Sequence, residues 1–228
     1  MKNYLFVFLF AFAGTSLFAQ DKSLGSWNIM NIKGLLSNKW SYFAEAQMRS
    51  LKYYNDFHYH EFKGGVTYEI NGQFRVSMAT GKYDTYREGG DFVLPKNNDE
   101  FRLWPQLLLT QKLGKFIVEQ RGRVEMRFSK NGYRNRFRYR LGLNYPFGKN
   151  EKGFTPFQFS ASNEIFFTDN EPYFERNRFF LSASYRLSEL FSTQMGYLRQ
   201  FDYKINDETG RTFFLIGLYF DVDFFKKG

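Results

Sequence analysis

The residues of this chain best equipped for chemistry are its arginines, because of how they are spaced. From Val118 to Phe128, Glu119, Arg121, Arg123, Glu125 and Arg127 alternate with Val118, Gln120, Gly122, Val124, Met126 and Phe128. In the next segment Arg134, Arg136, Arg138 and Arg140 alternate with Tyr133, Asn135, Phe137, Tyr139 and Leu141. A guanidinium keeps its charge at any ordinary pH and presents a planar fork of donors that matches carboxylates and phosphates. Two kinds of chemistry follow. The arginines can pair with carboxylates of the same chain, or they can form a positive corridor that attracts anions such as phosphates or carboxylates. Glu119, Glu125 and Glu164 are the carboxylates best placed to interleave with them, and Arg176 and Arg178 extend the basic row.

Other reactive groups are sparse. The chain has two histidines, His58 and His60, which share one face of a strand start beside Asp56 and Glu61. Some small membrane barrels are lipid hydrolases, which need a nucleophile with an adjacent base. No motif around Ser50, Ser77 or Ser129 singles out such a serine, and parity sends both histidines outward with Phe62 and Val66. No catalytic residue is therefore assigned. His-x-His without cysteine or a third histidine makes a weak metal site. Asp84, Glu88, Asp91 and Asp99, in or beside the stretch from Arg87 to Asp99, could bind calcium or bridge the cations of lipopolysaccharide, but such residues are more often solvated loop charges. No metal or cofactor is expected.

Period-two alternation puts every charge on one face of an extended strand and nearly every apolar or aromatic group on the other. A soluble sandwich would hide its apolar face in a dry core. This chain repeats the pattern for nearly its whole length and offers no helices as cover. The arrangement that satisfies both faces is an antiparallel transmembrane β-barrel, apolar side to lipid and charged side to the lumen. An aromatic content of 21%, with 30 Phe and 16 Tyr, suits strands that meet lipid between aromatic girdles. Trp27, Trp40, Tyr53, Tyr54, Tyr86, Tyr145 and Tyr173 are girdle candidates. The net charge of +9 is distributed by strand parity rather than gathered on a helix or tail, which argues against a nucleic-acid partner.

Residues 1–19 read as a cleaved signal peptide: Met1 and Lys2, an apolar stretch from Tyr4 to Phe12, then Gly14, Thr15, Ser16 and Ala19, with the cut at Ala19 or a residue away. Residues 20–228 then form a single barrel domain. With no cysteine the chain has neither a lipoprotein signal nor a disulfide framework. The expected location is the outer membrane of a Gram-negative bacterium, with outer-membrane lipid, lipopolysaccharide and other envelope proteins as partners.

Turn signals cut the mature chain into about eleven segments of membrane-crossing length, from Gly25 to Leu36 through Arg211 to Phe224. Pro105 interrupts one of them. Tight connections (Ser37-Asn38-Lys39, Asn71-Gly72, Gly114-Lys115, Ser188-Glu189, with Gly148 to Gly153 as an enlarged member) alternate with looser ones (Tyr54 to Phe57, Arg87 to Asp99, Asp169 to Tyr173, Asn206 to Gly210). That alternation separates periplasmic turns from extracellular loops and leaves the C-terminus periplasmic. Single-chain bacterial barrels normally have an even strand number, so about ten to twelve strands are expected. Either the first segment lies against or inside a ten-stranded wall, or a short strand hides between Arg87 and Asp99.

In the last segment Phe214, Ile216, Leu218, Phe220, Val222 and Phe224 share one face, as in the terminal signal of outer-membrane barrels. The whole mature chain resembles an uncharacterised family of exported barrel proteins, the domain of unknown function numbered 2490. The carrying motifs are Gly25-Ser26-Trp27, Leu36-Ser37-Asn38-Lys39-Trp40, Glu45-Ala46-Gln47-Met48-Arg49 and Arg136-Phe137-Arg138-Tyr139-Arg140, in that order. The resemblance implies a small outer-membrane barrel with no established activity. A barrel of this size sits near the closed end of the range, between eight-stranded barrels filled by side chains and wide porins. A lumen largely filled by Arg–carboxylate pairs, in a structural or assembly role, is therefore the leading expectation. A narrow anion-preferring pore is the alternative, and a lipid hydrolase the more remote one.

Overall fold

The computed structural model describes residues 23–149, 154–205 and 208–222. The signal peptide expected at residues 1–19, the centre of the connection from Gly148 to Gly153, and Asp223, Phe224 and the residues after them lie outside this set. The elements are β1 (Leu24–Leu35), β2 (Trp40–Lys52), β3 (Asn55–Glu69), β4 (Phe74–Arg87), β5 (Val93–Leu113), β6 (Phe116–Ser129), β7 (Gly132–Phe147), β8 (Phe157–Thr168), β9 (Phe174–Arg186), β10 (Phe191–Asp202) and β11 (Thr209–Asp221). They pair in sequence order and close into one barrel. The end that carries the β1–β2 turn is called lower here, and the opposite end upper.

Strand formation follows from the alternation itself. Val, Ile, Phe and Tyr on the outward row favour the pleated backbone, and glycines release the chain at turns. Gly114 (φ 60°) and Gly132 (φ 99°) occupy the left-handed region that β-branched residues avoid. Pro105 keeps its place opposite Met78 on β4. Toward β6, however, the ladder is interrupted between Leu103↔Met126 and Gln106↔Arg123, as a residue without an N–H requires.

Closure differs from both expected solutions. The first segment is neither beside nor inside a ten-stranded wall, and among the described residues no twelfth strand completes an even count. β1 is in the wall and pairs with β11 in parallel, from Leu24↔Thr212 to Lys33↔Asp221. An odd number of up-and-down strands brings first and last in with the same direction, so a parallel seam is the only way to close. Following the register once around the barrel displaces the chain by about 14 residues, consistent with the usual strand tilt near 45°. The displacement is even, so inward and outward rows stay continuous across the seam.

Two loose connections also change. Tyr53 and Tyr54 form a tight turn between β2 and β3, and most of Arg87 to Asp99 is strand, because β5 starts at Val93. The buried apolar side chains lie inside the barrel, in one cluster of Trp27, Leu198, Phe213 and Leu215 and another of Tyr59, Ala79, Tyr83 and Trp104, with Phe166 apart from both.

The seam can be checked by cross-linking in this cysteine-free chain. Met30 and Leu218 are register partners across it. The double variant Met30→Cys/Leu218→Cys should form a disulfide on oxidation, as should the control pair Val66→Cys/Met78→Cys on β3 and β4. Cross-linking of the control alone would rule out the seam.

Candidate functional site: the charged interior

The β6–β7 register sets Arg121 opposite Arg140, Arg123 opposite Arg138 and Arg127 opposite Arg134, with Glu125 opposite Arg136 as an oppositely charged couple. Like charges directly across a ladder destabilise it, so neutralisation has to come from other strands. Glu125 supplies the centre. It has no exposed surface, lies 3.4 Å from Arg123 Nη1 and 3.5 Å from both Arg102 Nη1 and Arg136 Nη1, and pairs with Arg138 as well. Glu164 on β8 takes Arg121 and Arg138. Glu175 on β9 takes Arg136 and lies 3.7 Å from Arg127 Nη1 and 3.8 Å from Arg134 Nη2. Glu100 on β5 accepts from Arg102 at 2.8 Å and from Arg127, and Asp202 on β10 takes Arg176. On the far wall Glu61 accepts from Arg49 at 3.0 Å and Lys63 at 2.6 Å. Glu119, expected to interleave, approaches only Arg140, at 3.9 Å.

Aromatic rings fill the space that these pairs leave. Arg49 lies 3.4 Å from the Trp27 ring centroid and 4.0 Å from that of Tyr59, Arg102 stacks on Tyr83 at 3.8 Å, and Arg138 on Phe166 at 4.5 Å. A desolvated cation over a ring gains roughly 0.5–2 kcal/mol, a modest return beside the cost of stripping its water. Arg178 depends on this most. It forms no ion pair among the described residues, donates from Nε to Gln200 Oε1 at 2.8 Å, and sits between Trp27 at 5.0 Å and Phe166 at 4.9 Å. Trp27 is thus an interior ring, its Nε1 donating to Gln47 at 2.8 Å, and not the girdle residue that the sequence suggests.

Two bulges overturn the parity reading. Arg49 pairs with Tyr59 and Ser50 with Phe57, so His58 is an extra residue on β3 and turns inward, where Arg211 Nη1 meets its Nε2 at 3.3 Å. Only His60 keeps the outward position, with Tyr86 at 3.0 Å. On β9, Phe166 pairs with Arg176 and Phe167 with Phe174, so Glu175 is likewise extra and enters the arginine network. Alternation places Glu175 outside, which is why the sequence reading passes over it. An inserted residue lets consecutive side chains share one face.

The remaining candidates are engaged elsewhere. Ser50 is fully buried, its hydroxyl donating to Lys52 O at 2.6 Å and meeting Ser26 Oγ. Asp56 accepts from the backbone of Gly89 and Gly90, and Asp91 from that of Phe57, which pins the β4–β5 connection over the β2–β3 turn. Glu88 reaches Arg211 at 2.7 Å, and Asp84 and Asp99 pair with Lys82 and Lys96. Among the described residues no three potential ligands gather around a cation site. In the β8–β9 connection, the Asn135 side chain donates to Asp169 at 2.8 Å and holds its carboxyl below the usual carboxylate range.

The open space inside the barrel has a volume of about 1530 Å³ and is lined from all eleven strands. Its waist is crowded by Trp104, Phe166 and Glu125, each less than 2% exposed. The small residues Gly142, Ser160, Ser162, Ser184 and Ser192 line its lower half.

Removing one partner from a buried ion network costs about 3–5 kcal/mol, whereas replacing an unpaired buried charge with an apolar side chain is neutral or stabilising. Glu125→Gln should lower the unfolding free energy measured in urea by that amount, and Arg178→Met should leave it unchanged or raise it. Equal loss in both variants would contradict this division of roles. A family model described as "Protein of unknown function (DUF2490)" matches residues 24–211. No curated protein matches the chain.

Proposed function

Because the chain belongs to the DUF2490 family, whose description assigns no activity, we propose its function from the barrel itself. It is an integral outer-membrane β-barrel of a Gram-negative bacterium, with a lumen filled by arginine–carboxylate pairs, acting structurally or as a partner within an envelope assembly. The observation that carries this reading is the outer face. Met30, Val66, Met78, Leu107, Leu141 and Met195 are all exposed there, far more contiguous apolar surface than a soluble monomer tolerates. Belts of rings flank this zone. Trp40–Tyr68, Phe116–Tyr145 and Phe191–Phe220, with centroids 4.9, 5.3 and 5.0 Å apart, lie near the lower end, and Phe101–Phe128 and Phe128–Tyr133 near the upper. Belts at two levels match the two interfaces of a bilayer.

On this reading the C-terminus is periplasmic, with outer-membrane lipid and lipopolysaccharide around the wall. No catalysis is proposed. His58 Nε2 faces a guanidinium, and the Ser50 hydroxyl is buried and already bonded, so these two groups form no base–nucleophile pair. A narrow anion-preferring pore is the second reading, favoured by the surplus of arginine that leaves Arg178 without an ion pair among the described residues and bonded to Gln200 instead.

Recording across planar bilayers separates the two. The refolded protein should insert, shift its mobility on a denaturing gel when boiled, and show no steady conductance. Anion-selective steps would establish the pore reading, and Arg138→Glu should then weaken that selectivity. Failure to enter bilayers or detergent as a β-structured species would overturn the membrane reading altogether.

A further inference from the structure

We infer that the lower half of the interior is a binding site for a phosphate-type oxyanion, clamped by Arg121 and Arg140. These residues face each other directly across the β6–β7 ladder, close enough for two guanidinium forks to grip one tetrahedral anion. Their neutralisation is incomplete. Arg121 shares Glu164 with Arg138, and among the described residues the carboxylate nearest Arg140 is Glu119 at 3.9 Å. The Nε donors of both arginines are buried and make no hydrogen bond to any described residue.

The space beside them is suited to a ligand. Gly142 lies two residues along β7 from Arg140, and a Cβ added there would meet nothing closer than 3.8 Å. Ser160 and Ser162, across from Asn144 and Gly142 on β8, line the same space. Ser160 Oγ accepts from Gln158 Nε2 at 3.0 Å, which leaves its own proton to donate. Two guanidinium forks and two hydroxyls thus face this space against one carboxylate, Glu119, the register partner of Gly142, and guanidinium forks with hydroxyls are the recognition set for a phosphate oxyanion. Nearer the lower mouth, Arg75 and Arg186 add positive charge, and among the described residues the carboxylate closest to either is Asp221, 3.9 Å from Arg186. That field draws anions inward. A free phosphate or phosphomonoester and the headgroup of a phospholipid share this chemistry.

The inference rests on the interior geometry and not on whether the lumen conducts. A conductance would leave it standing, and its failure would leave the barrel reading intact. The test is calorimetric titration of inorganic phosphate into the full mature chain in detergent at low ionic strength. One anion should bind per barrel, more tightly than chloride. Binding should weaken about tenfold or more in Arg140→Gln and in Gly142→Phe, which fills the space, and stay unchanged in Arg87→Gln, the same charge change at the upper end. The boiled-versus-unboiled gel shift certifies that each variant is folded. Competition by a short-chain phosphatidic acid would support the site with a lipid headgroup as its source of phosphate, and phosphate binding without such competition would support it with a soluble source. No binding by the wild type, equal binding in Arg140→Gln, or an equal loss in Arg87→Gln would overturn it.

Discussion

One carboxylate organises the interior of this barrel. Glu125 has no exposed surface and lies among the guanidinium groups of Arg102, Arg123, Arg136 and Arg138, contributed by three adjacent strands. Each of these arginines would be expensive to bury alone, and β6 and β7 place most of theirs against another arginine. The strands can tolerate that only because a single negative charge is held where four positive ones converge. From this centre the pairing passes outward, through Glu164 to Arg121, through Glu175 to Arg127 and through Glu100 back to β5. Ring faces add to the ion pairs, with Trp27 and Tyr59 against Arg49, which Glu61 also holds, and Tyr83 against Arg102.

The same centre explains the form of the cavity. Long arginines and large rings occupy the waist, while glycine and serine occupy the lower wall, so the interior is crowded at one level and open at another. The cations exceed the carboxylates that can reach them. Part of the excess is carried by ring faces, as at Arg178, and part remains turned toward the open half, as at Arg140.

Much of this was legible in the sequence, because a strand period of two is a local property. Every arginine from Arg121 to Arg140 that alternation sends inward is inward, and so are Glu125, Glu164, Arg176 and Arg178. The failures share a cause. His58 and Glu175 reverse face because a bulge inserts one residue against the partner strand, and the partner's register is not written in the bulged segment itself. Trp27 was misread because its strand has no apolar face to declare a direction: Ser26, Asn28 and Met30 alternate with Trp27, Ile29 and Asn31. The parallel seam was hidden for a further reason. It joins residues almost the whole chain apart, and the usual even strand count argued against it.

Glu125 and its arginines hold the barrel as an energetic unit rather than as independent contacts. A double-mutant cycle measures that directly, with Glu125→Gln and Arg138→Gln made singly and together and unfolding followed in urea. Contacting members of a buried charge network should couple by about 2 kcal/mol or more, so that the double variant loses far less than the sum of the singles. Strict additivity would mean that the two side chains are buried side by side without depending on each other, and the account would fail at its centre.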